Sequence, residues 1–151
     1  MSKSQRIIKE FKDKYRFLSN FWLHPIEYER ILYPSVEHAF QAQKTLSYPK
    51  RVLISMSKTP ASAKARGKLL LLRSDWEQVK ESIMLDLLRI KFQDTVLKNK
   101  LLATGDSLLI EGNRWHDIYW GIDLNSGIGK NRLGKVLMQI RQEILQNKTQ
   151  E

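Results

Sequence analysis

Three polar side chains with complementary chemistry lie along one predicted helix. Glu37, Gln41 and Lys44 stand at positions i, i+4 and i+7, so they share one helical face. The carboxylate can transfer a proton, and the amine can act as a cation or a nucleophile. The same spacing also fits a solvated face with ordinary Glu–Gln–Lys pairing, and the pattern alone leaves both interpretations open. His38 lies on the neighbouring face, where we expect a hydrogen-bonded structural histidine.

A glycine-rich turn precedes the last predicted helix, where residues 126–134 read Ser-Gly-Ile-Gly-Lys-Asn-Arg-Leu-Gly. Backbone N–H groups and the positive end of a helix can receive a phosphate there, with Lys130 and Arg132 adding charge. The turn is not a P-loop, because no Gly-Lys-Ser/Thr follows at the required spacing. It is not a dinucleotide fingerprint either, since the third glycine position is Arg132. The alternative is a tight turn that needs positive φ.

Residues 115–123 read Trp-His-Asp-Ile-Tyr-Trp-Gly-Ile-Asp and are unusually rich in aromatic side chains. Aromatic rings can stack on a base, while carboxylates handle protons or ribose hydroxyls. The alternative is a small hydrophobic cluster beneath a loop. His116 beside Asp117 does not indicate a metal site, because the chain has three histidines and no clustered ligands. We therefore expect no metal.

Local signals predict the elements that position these segments. Capping residues, prolines and apolar spacing indicate helices over residues 35–46, 49–56, 59–72 and 131–146. A further helix begins at the Ser74–Glu77 capping box, and another short helix ends at residue 104. Strand patterns occupy residues 6–11, 26–32 and 107–110, and residues 115–123 are expected to be irregular or extended. The sum is an α+β fold, a single compact and predominantly helical domain over residues 1–151 with a small β component.

Composition bounds the function. A chain of 151 residues is the size of one domain, and the absence of cysteine excludes disulfides, thiolate zinc sites and a cysteine nucleophile. The net charge of +10 fits either a polyanionic partner or a solvated basic surface, and the basic residues are spread along the chain. The N-terminus has no secretory h-region, and the longest apolar run, residues 69–72, is far shorter than the ~20 residues that span a bilayer. We expect a cytoplasmic protein without a membrane partner.

Taken together, these motifs resemble the NADAR (YbiA-like) family. The correspondence spans nearly the whole chain in family order, at residues 18–21, 35–44, 76, 117–121, 127–134 and 137–138. The resemblance implies a YbiA-like fold and N-glycosidase activity. Members hydrolyse phosphoribosylated pyrimidine intermediates of riboflavin biosynthesis, and others remove ADP-ribose from modified guanine bases in DNA.

The resemblance also implies the site residues. The catalytic set is Glu37, Lys44 and Asp123. The substrate-binding set is Asn20, Phe21, Gln41, Trp76, Trp120, Gly121, Gly127, Gly129, Lys130 and Asn131. No cofactor and no metal are implied.

A mechanism follows from these assignments as a hypothesis. Glu37 would transfer protons and activate water, while Lys44 would form a transient Schiff base with the opened ribose or orient phosphate. Trp76 and Trp120 would stack on the base or adenine, Asp123 would hold ribose hydroxyls or water, and the glycine-rich turn would cradle phosphate.

Two other readings of the partner stay open at this point. The first keeps the chemistry but replaces the phosphorylated ribosyl metabolite with ADP-ribosylated DNA, which the positive charge favours. The second is a non-catalytic module that binds ADP-ribose or nucleic acid. The oligomeric state is left open by the sequence.

Overall fold

In the computed structural model, which describes residues 4–149, helices make up most of the regular structure. The helices are α1 Val36–Ala42, α2 Tyr48–Ser55, α3 Pro60–Gly67, α4 Trp76–Lys91, α5 Thr95–Ala103 and α6 Arg132–Thr149, with a 3-10 helix at Asp13–Leu18. The strands are β1 Ile7–Ile8, β2 Leu23–Tyr28, β3 Ile31–Ser35, β4 Leu108–Leu109, β5 Gly112–Asn113 and β6 Ile122–Asp123. The predicted α+β class, mostly helical with a small β component, is confirmed.

The chain packs as two compact units. The central unit is residues 20–91, and the terminal unit is formed, among the described residues, by 4–19 and 92–149. The prediction that residues 1–151 form one domain stays a prediction, and its ends, residues 1–3 and 150–151, lie outside the described residues.

The central unit begins with an antiparallel hairpin of β2 and β3, in which Tyr28 pairs with Ile31. Residues 26–32 had been predicted as one continuous strand, and that prediction is wrong. The chain reverses at Glu29 and Arg30, whose φ angles of 47° and 72° are both left-handed. Two-residue hairpin turns need such angles and usually use Gly or Asn. The sequence therefore carried no ordinary turn signal here, and Glu29 is held instead by an ion pair with Arg51 at 2.6 Å.

Helix starts in the central unit agree with the capping signals. The Ser35 hydroxyl accepts the His38 amide at the start of α1, and Thr59 and Ser62 form a reciprocal capping box at α3. Two helices end earlier than predicted, α1 at Ala42 and α3 at Gly67. Beyond Ala42 the carbonyls of residues 44 and 45 accept bonds from Arg73 and Arg51 rather than from a continuing helix.

The helix α4 supplies the long apolar side of the central unit. It begins at Trp76, and its buried residues include Ile83, Met84 and Leu87. The predicted capping pair departs from expectation, because the Glu77 carboxylate forms an ion pair with Lys80 at 2.6 Å. The 3.6-residue spacing predicts one buried stripe at Val79, Ile83, Leu87 and Ile90. The two middle residues are buried and the two outer ones are half-buried.

The terminal unit joins distant parts of the sequence through short parallel pairings. Strand β1 pairs with β4, and β5 pairs with β6. Helix α6 buries one apolar face and comes close to β4, because Gly134 has no Cβ to collide with the Leu109 carbonyl. Farther along α6 the buried Arg141 guanidinium donates to Thr104 Oγ1 and the Ser107 carbonyl, both at 2.8 Å. Within residues 4–149, no helix combines the length and apolar character needed to cross a membrane.

Candidate active site

The carboxylate of Glu37 is buried and held in place on α1. Its residue is 7% exposed, and Gln41, one turn farther along, donates from Nε2 to Glu37 Oε1 at 2.8 Å. The Glu37 amide donates to the carbonyl of Asn20 at 3.0 Å. A buried carboxylate with a directed amide partner differs from the solvated Glu–Gln–Lys face that the sequence left as an alternative. The structure therefore brings Asn20, Glu37 and Gln41 together.

Gly67 at the end of α3 packs against the amide of Gln41. A Cβ at position 67 would overlap Gln41 Oε1 and its carbonyl carbon. Gln41 Oε1 is buried and accepts no hydrogen bond from residues 4–149. Its Nε2 donates to Glu37. The Oε1 atom faces Gly67 and forms no hydrogen bond there. The contact fixes the Gln41 side chain from the side opposite Glu37, and it thereby fixes the Glu37 carboxylate.

Lys44 follows α1 and is half-buried. Burial lowers the pKa of its ammonium group, and the negative charge of Glu37 partly opposes that change. Lys64 and Lys68 lower the pKa of Lys44 further by like-charge repulsion. A lysine with a lowered pKa has more of the free amine near neutral pH, which is the form that attacks a carbonyl carbon.

Trp76 stands at the start of α4 and packs against α1. Its ring lies 5.1 Å from the ring of Phe40, centroid to centroid, with a 51° tilt. Arg73 leads into it: the Arg73 amide donates to the Lys44 carbonyl at 2.8 Å, and the Trp76 amide donates to the Arg73 carbonyl. The Arg73 guanidinium also donates two hydrogen bonds to the Asp75 carboxylate, at 2.6 and 3.0 Å. Arg73 thus ties the end of α1 to the start of α4.

Asn20 and Phe21 occupy the chain before β2. The Asn20 amide donates to Met84 Sδ at 3.5 Å, a weak bond, and its Oδ1 accepts none from the described residues. The Phe21 ring is 36% exposed. A buried unpaired acceptor costs free energy unless something bonds to it. Asn20 Oδ1 and Gln41 Oε1 are both such acceptors, and both residues were predicted to bind substrate.

In the terminal unit, Asp123 is an anchored carboxylate. His116 Nδ1 lies 3.0 Å from Asp123 Oδ2, and the Asn125 amide donates to Asp123 Oδ1 at 2.9 Å. The hydrogen bond from His116, followed by the one from the Asn125 amide, lowers the pKa of Asp123. Asp123 therefore stays ionised, which suits an acceptor of hydroxyl protons and not a general acid. The adjoining Gly121 leaves no room for a Cβ beside Glu111.

Backbone amides at the glycine-rich turn and the start of α6 donate to carbonyls of preceding residues in the terminal unit. The successive amides of residues 130–133 donate to the carbonyls of Ile118, Gly121, Tyr119 and Trp120. The Gly127 amide donates to the Asp123 carbonyl, and Gly127 takes the left-handed φ of 75° that its type permits. Three of the four amides of the predicted phosphate cradle, those of Gly127, Lys130 and Asn131, are thus bonded within the unit. Phosphate contacts at this turn would fall to side chains.

The side chains of the turn have unequal freedom. The Asn131 amide donates to the Leu109 carbonyl at 2.8 Å, and its Oδ1 accepts the Glu111 amide at 3.0 Å. Asn131 therefore has a structural role that its predicted phosphate contact would compete with. Lys130 is exposed, and its Nζ lies 5.4 Å from the centre of the Tyr119 ring. Trp120 is half-buried and meets Tyr119 edge to face at 4.9 Å.

The predicted site residues form two sets, one in each unit. The central unit holds Asn20, Phe21, Glu37, Gln41, Lys44 and Trp76. The terminal unit holds Trp120, Gly121, Asp123, Gly127, Gly129, Lys130 and Asn131. Residues 4–149 contain no group of three or more side chains suited to hold a metal ion.

Sequence reasoning overlooked several side chains around Lys44. Gly67 packs against Gln41, and the Arg73 amide donates to the Lys44 carbonyl. Lys64 and Lys68 lower the pKa of Lys44 by charge repulsion. A signal was present: residues 44–73 contain no acidic residue and eight basic ones, Lys44, Lys50, Arg51, Lys58, Lys64, Arg66, Lys68 and Arg73. The interpretation of evenly spread charge missed this concentration.

Comparisons with known proteins identify relatives of this chain. A family model described as the NADAR domain matches residues 7–145, a range that runs through both units. The chain is 42% identical over 135 residues to N-glycosidase YbiA of Escherichia coli strain K12, covering 87% of this chain and 83% of that protein. It is 38% identical over 136 residues to an N-glycosidase of Nostoc punctiforme, covering 86% of each.

Two further comparisons concern a longer protein and a solved structure. A riboflavin biosynthesis protein of Vibrio vulnificus is 36% identical over 135 residues, which are 87% of this chain and 36% of that protein. The NMR structure of the E. coli protein YbiA matches with a TM-score of 0.83 at 35% identity, covering 99% of this chain and 94% of that one. The expected YbiA-like fold is confirmed.

Proposed function

The chain belongs to the NADAR family, and we propose that it is an N-glycosidase that hydrolyses the bond between a base nitrogen and C1 of a phosphorylated ribose. The observation that carries the proposal is the buried Glu37 carboxylate, held at 2.8 Å by Gln41 on helix α1, with Lys44 just after the end of that helix. A binding module would have no need for a buried carboxylate beside a lysine of lowered pKa.

In the proposed reaction the C1–N bond breaks, and its electron pair leaves with the base nitrogen. A water oxygen bonds to C1 as positive charge develops on the sugar. Glu37 takes a proton from that water and returns it to the departing nitrogen, so that one water is consumed per bond broken. The Gln41 amide keeps the carboxylate oriented throughout.

The remaining assignments extend this mechanism. We assign Phe21, 36% exposed, to stacking on the base, together with the edge of Trp76, which is 6% exposed. Asn20 Oδ1 and Gln41 Oε1 are buried, so they would accept from hydroxyl or amino donors of the substrate only if binding opens a path to them. In the terminal unit we assign Trp120 to stacking, the ionised Asp123 to ribose hydroxyls or water, and Lys130 to a phosphate contact. We take residues 1–151 as one NADAR domain because the family match runs through both units. The cysteine-free sequence suits a reducing compartment, and we place the protein in the cytoplasm.

The substrate we favour is a free phosphoribosylated aminopyrimidine of riboflavin biosynthesis. Support comes from the names of relatives, which are N-glycosidases and riboflavin biosynthesis proteins. ADP-ribosylated guanine in DNA is a second candidate, favoured by the net charge of +10 and by the basic stretch at residues 44–73.

Incubation of the protein with each substrate, with released base followed by chromatography, tests the proposal. We expect release of the aminopyrimidine, with a rate that changes little between 50 and 200 mM salt. Release from DNA alone, at a rate that falls with salt, would identify ADP-ribosylated DNA as the substrate. DNA binding through many phosphates weakens about 10³–10⁵-fold between 50 and 200 mM salt. Absence of release from both substrates, with ADP-ribose still bound, would support a binding module instead.

The role of Lys44 is tested by chemical trapping. Because burial lowers its pKa, we propose a covalent form of the reaction, in which the Lys44 amine and not water bonds to C1 as the base leaves with the electron pair of the C1–N bond. The ring C1–O bond then opens to give a Schiff base, and water hydrolyses it to release the sugar and the free Lys44 amine. Borohydride added during turnover should then attach the sugar phosphate to Lys44, as detected by mass spectrometry. Turnover without any adduct would assign Lys44 to orientation and charge stabilisation alone.

A further inference from the structure

We infer that Lys64 and Lys68, on and just after α3, form the anchor for the phosphate group of the substrate. This subsite rests on the proposed function, because it serves the same sugar on which Glu37 and Lys44 act. Nothing in the sequence motifs assigns either lysine. The ligand class is a phosphate monoester on a sugar, such as ribose 5-phosphate.

The sequence of α3 places Lys64 and Lys68 near Gly67, the residue that contacts α1. Lys64, Gly67 and Lys68 stand at i, i+3 and i+4, so they share one helical face. Lys68 keeps helical angles, with φ −65° and ψ −22°, and therefore continues that face beyond Gly67. Gly67 is the point at which this face packs against Gln41. The two lysines thus flank the contact that holds the side chain bonded to Glu37.

Their charges reach the reactive amine. Both lysines depress the pKa of Lys44 by repulsion. Three like charges held near one another are unfavourable in the empty protein, and an entering phosphate dianion relieves that repulsion. Residues 44–73 contain no carboxylate, and the negative charge of Glu37 opposes the repulsion at Lys44 only in part, since the pKa of Lys44 is still lowered. Lysine ammonium groups bind phosphate as point charges, which does not require the fork geometry of arginine.

The other predicted phosphate cradle is largely closed to this role. The amides of residues 130–133 at the start of α6 are donated to carbonyls of residues 118–121. A phosphate there would have to displace those bonds. On α3, by contrast, Lys68 is exposed and Lys64 is half-buried, and their ammonium groups are not backbone donors of a helix start. The structure therefore favours α3 over the glycine-rich turn as the main phosphate anchor.

Binding of ribose 5-phosphate to the free protein, measured by calorimetry or by amide shifts in NMR spectra, tests the subsite. The test variant is Lys64→Gln with Lys68→Gln, and the control is Lys9→Gln with Lys135→Gln, two exposed lysines of the terminal unit. We expect the test variant to lose about tenfold or more in affinity, as removal of charge-assisted contacts does. Unphosphorylated ribose should bind the test variant and the wild type equally, and the control should match the wild type.

Wild-type affinity for ribose 5-phosphate in the test variant, or no binding by the wild type, would overturn the inference. A second readout is independent of affinity: loss of both charges should raise the pKa of Lys44, measured by side-chain NMR, whereas an unchanged pKa would contradict the arrangement. Failure of the proposed function appears differently, as absence of base release by the wild type. Sugar-phosphate binding does not depend on turnover, so the two failures are separable.

Discussion

His38 shows how the surroundings of a side chain decide between a chemical and a structural role. It is fully buried, with Nδ1 at 2.7 Å from Ser35 Oγ and Nε2 at 3.0 Å from the Ser57 carbonyl. Because a carbonyl can only accept, Nε2 carries the proton, and Nδ1 accepts from the Ser35 hydroxyl. Both ring nitrogens are therefore satisfied in the neutral form. The structural role expected from the sequence fits this geometry.

This arrangement predicts a loss of stability in mild acid. Burial lowers the pKa of His38 below its ordinary value of 6.5, so between the two values the unfolded chain binds the proton and the folded chain does not. The free energy of unfolding should thus decrease as the pH falls below 6.5, and be unaffected by this group above it. Urea unfolding from pH 7.5 to 5.0 should show a shallower decrease for His38→Gln. An equally steep decrease in that variant would remove His38 as the cause.

Glu37 and Asp123 are both carboxylates at predicted catalytic positions, yet they differ in setting. Glu37 is held by a neutral amide, whereas Asp123 is held by His116 and a backbone amide that lower its pKa. The sequence suggested the chemistry of Glu37 from spacing along one helix. It could not show that Asp123 is bonded to His116, since the bond depends on the left-handed backbone of His116, with φ 64°.

Helix α1 carries Glu37 and Gln41, and its contact with α3 depends on a glycine. Sequence signals located both starts, at Ser35 and Thr59, because capping is a local interaction. The helix ends and the hairpin turn at Glu29–Arg30 escaped prediction, since they depend on bonds to residues far along the chain. The contact of Gly67 with Gln41 belongs to the same class.

Gly67→Ala is expected to lower both stability and turnover. Alanine favours a helix over glycine by about 1 kcal/mol, so propensity alone predicts a more stable protein. The added methyl group would instead overlap the Gln41 amide and displace it from Glu37. Denaturant midpoints and kcat measure the two effects, with Ala65→Gly at an exposed position of α3 reporting the propensity difference. A Gly67→Ala protein that is stabilised and fully active would contradict the packing argument.

Across the whole chain, the net charge of +10 is concentrated and not diffuse. The acid-free stretch at residues 44–73 includes α2 and α3, and it supplies the lysines that surround Lys44. A substrate bearing one or two phosphates is enough to use that field, so the charge does not by itself require a nucleic acid. The composition was visible in the sequence, but the placement of Lys64 and Lys68 beside the reactive amine needed the fold.

The motifs resembling the family were found along nearly the whole sequence, and the family match spans residues 7–145. What the motifs did not reveal is how each one is used. The glycine-rich turn looked like a phosphate site because free amides at a helix start bind anions. In the folded protein those amides are bonded to residues 118–121. Backbone hydrogen bonds between segments cannot be read from local spacing.

The most direct measurement is the rate of base release by the wild type and by Glu37→Gln on the phosphoribosylated aminopyrimidine. Glutamine keeps the size of the side chain but cannot exchange a proton, so kcat should fall by about 10²–10⁴-fold with little change in thermal stability. Glu27→Gln, an exposed change on β2, serves as the control and should match the wild type. A Glu37→Gln protein that releases base at the wild-type rate would contradict the account.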